Sequence, residues 1–201
     1  MTEYQLIKKA LSSFLVDSTG SLARILCTAA KTGQISFEEI EKLIEPEDDI
    51  EEVLLLGYDY RILIPARSFK SMEWTDRVLM AMRGEIYQMP NVIQNLVGEA
   101  GHTGKWEPKK AVVAVFKQME EPEWAQMPKL VEMLTEQARG RKITATQIKQ
   151  ACKTLGLGDR VDSLIAELKG SGIMSPTLGY LPEAAQKRSP TYELNASIFS
   201  G

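Results

Sequence analysis

The sequence predicts a mainly α-helical protein with small β-hairpins, an α+β chain built as two successive units. Three observations carry this. Apolar residues recur at helical spacing through most of the 201 residues. Glycine and proline punctuation cuts these stretches into short helices followed by brief β-type runs. The order helix, helix, helix, hairpin occurs twice, as a pattern of elements rather than of residue identities.

The elements follow in order. Leu6, Ile7, Ala10, Leu11, Phe14 and Leu15 lie on one face of a first helix. Ser21 is placed to cap a second, with Leu22, Ile25, Leu26 and Ala29 inward and a stop near Gly33. Ser36 and Glu39 form a capping-box signal for a helix over 37–44, closed by Pro46. A third helix is expected over 49–58, with acids in its first turn, where the helix dipole favours them. Residues 61–65 read as a short strand, 66–71 as a polar turn, and 75–82 and 90–97 as helical. Gly98, Gly101 and Gly104 make 98–104 the strongest turn signal in the chain.

The second half repeats the order. Pro108 opens a helix carrying Ala111, Val112, Val115, Phe116 and Met119. Residues 120–128 read as a linker. Leu130, Val131 and Leu134 mark a helix ending near Gly140, and Thr144 leads into another that stops at Gly156. Asp159 is placed to cap a third, with Val161, Leu164, Ile165 and Leu168 inward. Strand-like residues follow at 173–176, 180–181 and 191–194, with a polar turn over 186–190.

Composition narrows the function classes. Residues 1–105 carry 11 basic and 16 acidic side chains, and residues 106–201 carry 13 and 11. Halves of opposite sign suggest different partners. Cys27 and Cys152 lack a C-x-x-C spacing and suit reduced thiols. No apolar run approaches the roughly 20 residues of a membrane-spanning helix. Lys8 and Lys9 interrupt any signal-peptide core, so a cytoplasmic protein without membrane contact is expected. With a single His, His102, two-imidazole chemistry and His-rich metal sites are excluded. Gly104-Lys105 is followed by Trp106, so the hydroxyl and first glycine of a phosphate loop are missing. No nucleophile–base pair or paired carboxylates stand out, and no enzyme activity, cofactor or metal is expected. Trp74, Trp106 and Trp124 fall at element junctions, where large aromatics seal contacts between units.

The element order resembles winged helix-turn-helix domains. The match is closest over 127–199, where Ser171-Gly-Ile-Met-Ser-Pro176 and Thr191-Tyr-Glu-Leu-Asn195 look like the two sides of a wing. It is weaker over 21–74, where the turn is longer and acidic. The resemblance implies two winged-helix-like domains in tandem. Residues 1–104 form the first, with extra flanking helices, and 105–201 the second, preceded by a connecting helix.

It also implies double-stranded DNA as a partner and a transcription-regulator-like role. Arg160, Ser163 and Lys169 on the last helix would face a major groove, with Lys187 and Arg188 reaching backbone from the wing. Lys149, Lys153, Arg141 and Lys142 would neutralise phosphates. Asp162 and Glu167 on the same last helix oppose phosphate. In the first half Asp48, Asp49, Glu51 and Glu52 are hostile to a DNA groove and suit a protein partner, or simply match the helix dipole. The alternative function is therefore an adaptor that keeps the fold without binding DNA, which the sequence pI of about 5.4 favours. The first helix is expected to serve as core or as a homodimer contact, and a dimer would suit palindromic half-sites.

Overall fold

The computed structural model of the chain describes residues 1–67, 73–74, 77–177 and 189–198. Helix α1 (Glu3–Leu11) starts on a capping box: Thr2 Oγ1 accepts from the Gln5 N–H, and Gln5 Oε1 accepts from the Thr2 N–H. Its buried residues Ile7, Ala10 and Leu11 pack against α2 (Thr19–Ala29) and α5 (Asn91–Thr103). Between these two lie β1 (Gln34–Ser36), α3 (Phe37–Ile40), α4 (Ile50–Asp59), β2 (Ile64–Pro65) and β3 (Ile86–Gln88). Helix α5 packs along α6 (Pro108–Gln118), which leads to α7 (Met127–Gln137), β4 (Lys142–Thr144), α8 (Ala145–Thr154), α9 (Val161–Gly170), β5 (Met174–Thr177) and β6 (Thr191–Leu194). The protein is thus mixed α+β, with two small antiparallel three-stranded sheets among the described residues, β1-β3-β2 and β4-β6-β5. Among the described residues no helix is long and apolar enough to cross a membrane.

The two sheets are copies of one plan. Elements α2, β1 and α3 each begin 108 residues before α7, β4 and α8. In both sheets the last strand is central, and one rung crosses it with the same residue types: Ile35–Tyr87–Pro65 and Ile143–Tyr192–Pro176. Proline lacks a ladder donor, so it fits an edge strand, where both copies place it. The isoleucine precedes a capping box each time. Ser36 Oγ accepts from the Glu39 N–H, and Thr144 Oγ1 from the Gln147 N–H, with the Glu39 and Gln147 side chains accepting in return. The shared Ile-[Ser/Thr]-x-x-[Glu/Gln]-Ile run is a residue-level repeat. Burial raises the phenols of Tyr87 and Tyr192, so both rung tyrosines stay neutral.

Several expectations are corrected. Each half holds a three-stranded sheet rather than a two-stranded hairpin. Strands β1 and β4 are three-residue segments with too little periodicity to stand out from the caps that follow. Gly98–Gly104 is not a turn: α5 runs through it to Thr103, and Gly104 (φ +67°) is its left-handed C-cap. Packing overrides propensity there, because Val92, Ile93, Leu96, Val97 and Ala100 are all buried. Gly101 also admits α1, since a Cβ would lie 2.9 Å from Glu3 Cγ. The expected helix over 75–82 is absent from the described residues 77–82, which Tyr58 pins by donating its hydroxyl to Trp74 O and Arg77 O. Ser21 caps nothing. It is buried inside α2, and its Oγ accepts the Glu45 N–H at 2.8 Å. Asp159 lies in a 3-10 turn, Gly158–Arg160, that precedes α9 without a side-chain cap. The strand expected at 180–181 and most of the turn over 186–190 lie outside the described residues.

Buried apolar side chains from both halves form one contiguous cluster. At the junction Arg61, with φ +56°, turns its guanidinium onto Glu193 of β6. Nε and Nη2 donate to the two carboxylate oxygens at 3.2 and 3.3 Å, Nη1 donates to Tyr58 O, and the group lies 4.4 Å from the Tyr58 ring centre. Both side chains are under 10% exposed. Asn195 Nδ2 donates to Arg61 O and to Gly172 O, the Ser197 N–H to Tyr60 O, and Trp106 Nε1 to Ser197 O. Gly172 (φ +78°) touches the first half so closely that a Cβ would fall 2.4 Å from Pro90 Cβ.

Removing one partner of the buried pair strands a charge in apolar surroundings. Glu193→Leu or Arg61→Met alone is expected to lower urea-unfolding stability by about 3–5 kcal/mol, and the double variant to recover much of it. Gly98 is helical with open space at its Cβ position. Gly98→Ala should therefore gain about 0.5–1 kcal/mol, whereas Gly172→Ala should lower the midpoint in the same assay.

Candidate nucleic-acid interface

Helices α8 and α9 adjoin across the Gly158–Arg160 turn. Helix α8 buries Ile148, Ala151 and Cys152 and α9 buries Leu164 and Leu168, which sets their outward faces. On α8 these carry Lys149 and Lys153, one turn apart; on α9 they carry Asp162, Ser163 and Lys169. The ammonium groups of Lys149, Lys153 and Lys169 make no ion pair or hydrogen bond among the described residues. Ser163 Oγ donates to Arg160 O at 2.9 Å, which leaves its lone pairs outward.

The other candidates are placed differently. Arg160 is committed inward, with a two-pronged bond to Glu121: Nη1 to Oε1, and Nη2 to Oε2 at 2.8 Å. A Glu167 carboxylate oxygen lies 3.6 Å from the same Nη2. Arg141 (φ +65°) donates Nη1 to Asp59 O of the first half at 3.1 Å. Lys142 is half-buried in edge strand β4, opposite Glu193. Lys187 and Arg188 lie outside the described residues. The structure thus leaves Lys149, Lys153, Ser163 and Lys169 outward on two adjoining helices and spends Arg160 and Arg141 on internal contacts.

Glu121 was not anticipated. It sits in the stretch read as a linker, yet its side chain is only 1% exposed. Burial alone would raise its carboxyl. Hydrogen bonds from Arg160, from Glu167 and from the Glu123 N–H outweigh that and bring it down to about 2. Glu167 moves the other way, pushed up to about 7 by burial first and then by its hydrogen bond with Glu121 and that group's charge. Two carboxyls beside one guanidinium cannot both ionise cheaply, so the second keeps its proton. No sequence signal marks this triad, because Glu121 and Arg160 are 39 positions apart.

The first repeat offers the opposite surface. Asp49 caps α4 by accepting the Glu51 and Glu52 N–H groups. The exposed side of α4 carries Glu51, Glu52 and Asp59 around Leu55, which is 50% exposed. The acids thus match the helix dipole and leave an apolar side chain ringed by negative charge.

The remaining sequence candidates are not gathered into a catalytic group. Cys152 is buried and Cys27 half-buried, and burial pushes both thiols up, away from the thiolate form that reacts. His102 is exposed in the last turn of α5. Among the described residues no three His, Cys, Asp or Glu side chains are grouped to hold a metal ion. Trp74 and Trp106 are buried; the Trp74 backbone N–H donates to Ser175 Oγ of the second half, and the Trp106 ring packs on Phe14 of the first half at 5.2 Å between ring centres. Trp124 instead lies under the Lys117 ammonium, 3.9 Å from its ring centre.

A carboxyl with a raised folded pKa stabilises the fold while protonated and loses that contribution as pH rises from its unfolded value of about 4.3 through about 7. Glu167→Gln should therefore flatten the fall in stability across that window and raise the urea midpoint at pH 8. Urea titrations of both proteins at four pH values check this.

No curated protein matches this chain. A protein-family model matches residues 7–200, both repeats and the helices between them, and the chain belongs to that family.

Proposed function

We propose that this is a non-enzymatic protein of two winged-helix units in tandem that binds duplex DNA, in the manner of a transcription regulator, through the α8–α9 face. The observation that carries the reading is the repeated order helix, strand, helix, helix, strand, strand, with the last strand central in each sheet. In a winged helix the third helix enters the major groove and the loop between the last two strands forms the wing. Here that helix is α9, which offers Ser163 and Lys169. Lys149 and Lys153 on α8 supply phosphate contacts, and Asp162 tempers the affinity. Arg160 drops out of the contact set because Glu121 already neutralises it.

Such an interface reads phosphates more than bases, since three lysines and a hydroxyl hold no planar fork for guanine. Fluorescence anisotropy with a labelled mixed-sequence duplex at low and near-physiological salt tests it. The expected result is binding that weakens steeply with salt. Lys149→Ala/Lys153→Ala/Lys169→Ala should lower the logarithmic salt slope by about 3, and Lys187→Ala/Arg188→Ala should lower it further. Absence of binding at low salt overturns the reading.

A second reading rests on α4. Leu55 amid Glu51, Glu52 and Asp59 suits a protein partner with an apolar pocket rimmed by basic residues. In that case the first unit binds protein while the second binds DNA or orients the first. Leu55→Asp is expected to abolish partner binding with the folding midpoint unchanged.

A further inference from the structure

The two halves enclose a cleft of about 410 Å³ between the first sheet, the start of α5 and the end of α9. Strands β1, β2 and β3 supply Gln34, Ile64 and Gln88, and α9 supplies Lys169. The lining is mostly polar. Among the described residues that line it are two cations, Arg77 and Lys169, and no carboxylate.

Each cation is positioned. Arg77 is half-buried, with Nη1 donating to Pro65 O at 3.0 Å and to Gln88 Oε1 at 3.4 Å, while Nε has no hydrogen-bond partner. Burial lowers its pKa, the sign of a cation short of counter-charge. Lys169 stands at the opposite wall, its ammonium unpaired among the described residues. Helix α5 opens on the same cleft at Asn91 without a side-chain cap, and although Ser171 O takes its Val92 N–H, the rest of its positive end adds to the field. The opposing negative end of α9 is partly neutralised, since Asn91 Nδ2 donates to Gly170 O. Gln34 lies at the exposed edge of β1.

We propose that this cleft is a binding site for a small organic anion of mononucleotide size. The anionic group sits between Arg77 and Lys169, and the side-chain amides of Gln34 and Gln88 hold the polar remainder. A volume near 400 Å³ suits such a ligand and is small for a peptide or duplex. Because the walls come from both halves, the ligand bridges them and stabilises their docking by mass action. The site is independent of the DNA reading, although Lys169 borders both surfaces.

Thermal unfolding of the full chain in low salt, followed by calorimetric titration, tests the proposal. The probes are adenosine 5′-monophosphate, uridine 5′-monophosphate, ribose 5-phosphate and inorganic phosphate, with adenosine as the uncharged control. At least one organic phosphate is expected to raise the midpoint saturably, and adenosine to leave it unchanged. Gln34→Glu and Lys169→Glu place a carboxylate at the mouth without removing an internal hydrogen bond. Each should weaken that binding about tenfold or more; the unliganded midpoint stays unchanged in Gln34→Glu and falls slightly in Lys169→Glu, whose carboxylate meets the negative end of α9. Gln34→Glu should leave duplex binding intact, which separates this site from the α8–α9 face. The proposal is overturned if no organic phosphate shifts the midpoint up to about 10 mM, if adenosine shifts it equally, or if both variants bind as the parent does.

Discussion

The buried Arg61–Glu193 pair governs how the rest of the molecule is arranged. Its partners come from opposite halves, 132 positions apart, and neither side chain is solvated in the folded chain. A guanidinium and a carboxylate lose several kcal/mol of hydration each on burial, and only mutual contact with full hydrogen bonding repays it. The halves must therefore dock in one register, with Arg61 in a left-handed backbone conformation that directs its side chain across the gap. Asn195, Gly172 and Ser197 satisfy the neighbouring backbone groups, so little slack remains. The cleft beside α5 exists because the halves meet in this way.

Within that arrangement the two repeats share a framework and differ in surface. The isoleucine–tyrosine–proline rung and the capping box set how the sheet joins the helix after it, in both copies. The helices that face outward carry opposite charge: carboxylates around Leu55 on α4, lysines on α8 and α9. One scaffold thus presents two electrostatic faces, and fold alone assigns neither a role.

Charge placement decides which residues remain for a partner. Arg160 and Arg141 look as available in the sequence as Lys149 and Lys153. Burial of Glu121 and the exposed carbonyl of Asp59 capture the two arginines, whose planar forks suit fixed acceptors. The lysines stay outward, where compact, hydrated ammonium groups are least costly. The set of outward cations is therefore smaller than the sequence implies, while the interior is richer in ion pairs.

The sequence by itself determined what depends on neighbours within a turn or two. The apolar stripe of α1, the capping box at Ser36, the acid-rich first turn of α4 and the proline start of α6 are local, and each was legible. So was the doubled order of elements. Tertiary structure alone decided the rest. Three-residue strands have no usable period, so β1, β3 and β4 exist only because a distant strand pairs with them. Helix α5 continues through Gly98 and Gly101 because its apolar face is buried against α1 and α6, which outweighs a glycine cost of about 1 kcal/mol each. The captures of Arg61 by Glu193 and of Arg160 by Glu121 are contacts between residues far apart in the chain. Local spacing carries no trace of them, because desolvation, which makes them binding, arises only once both sides are packed.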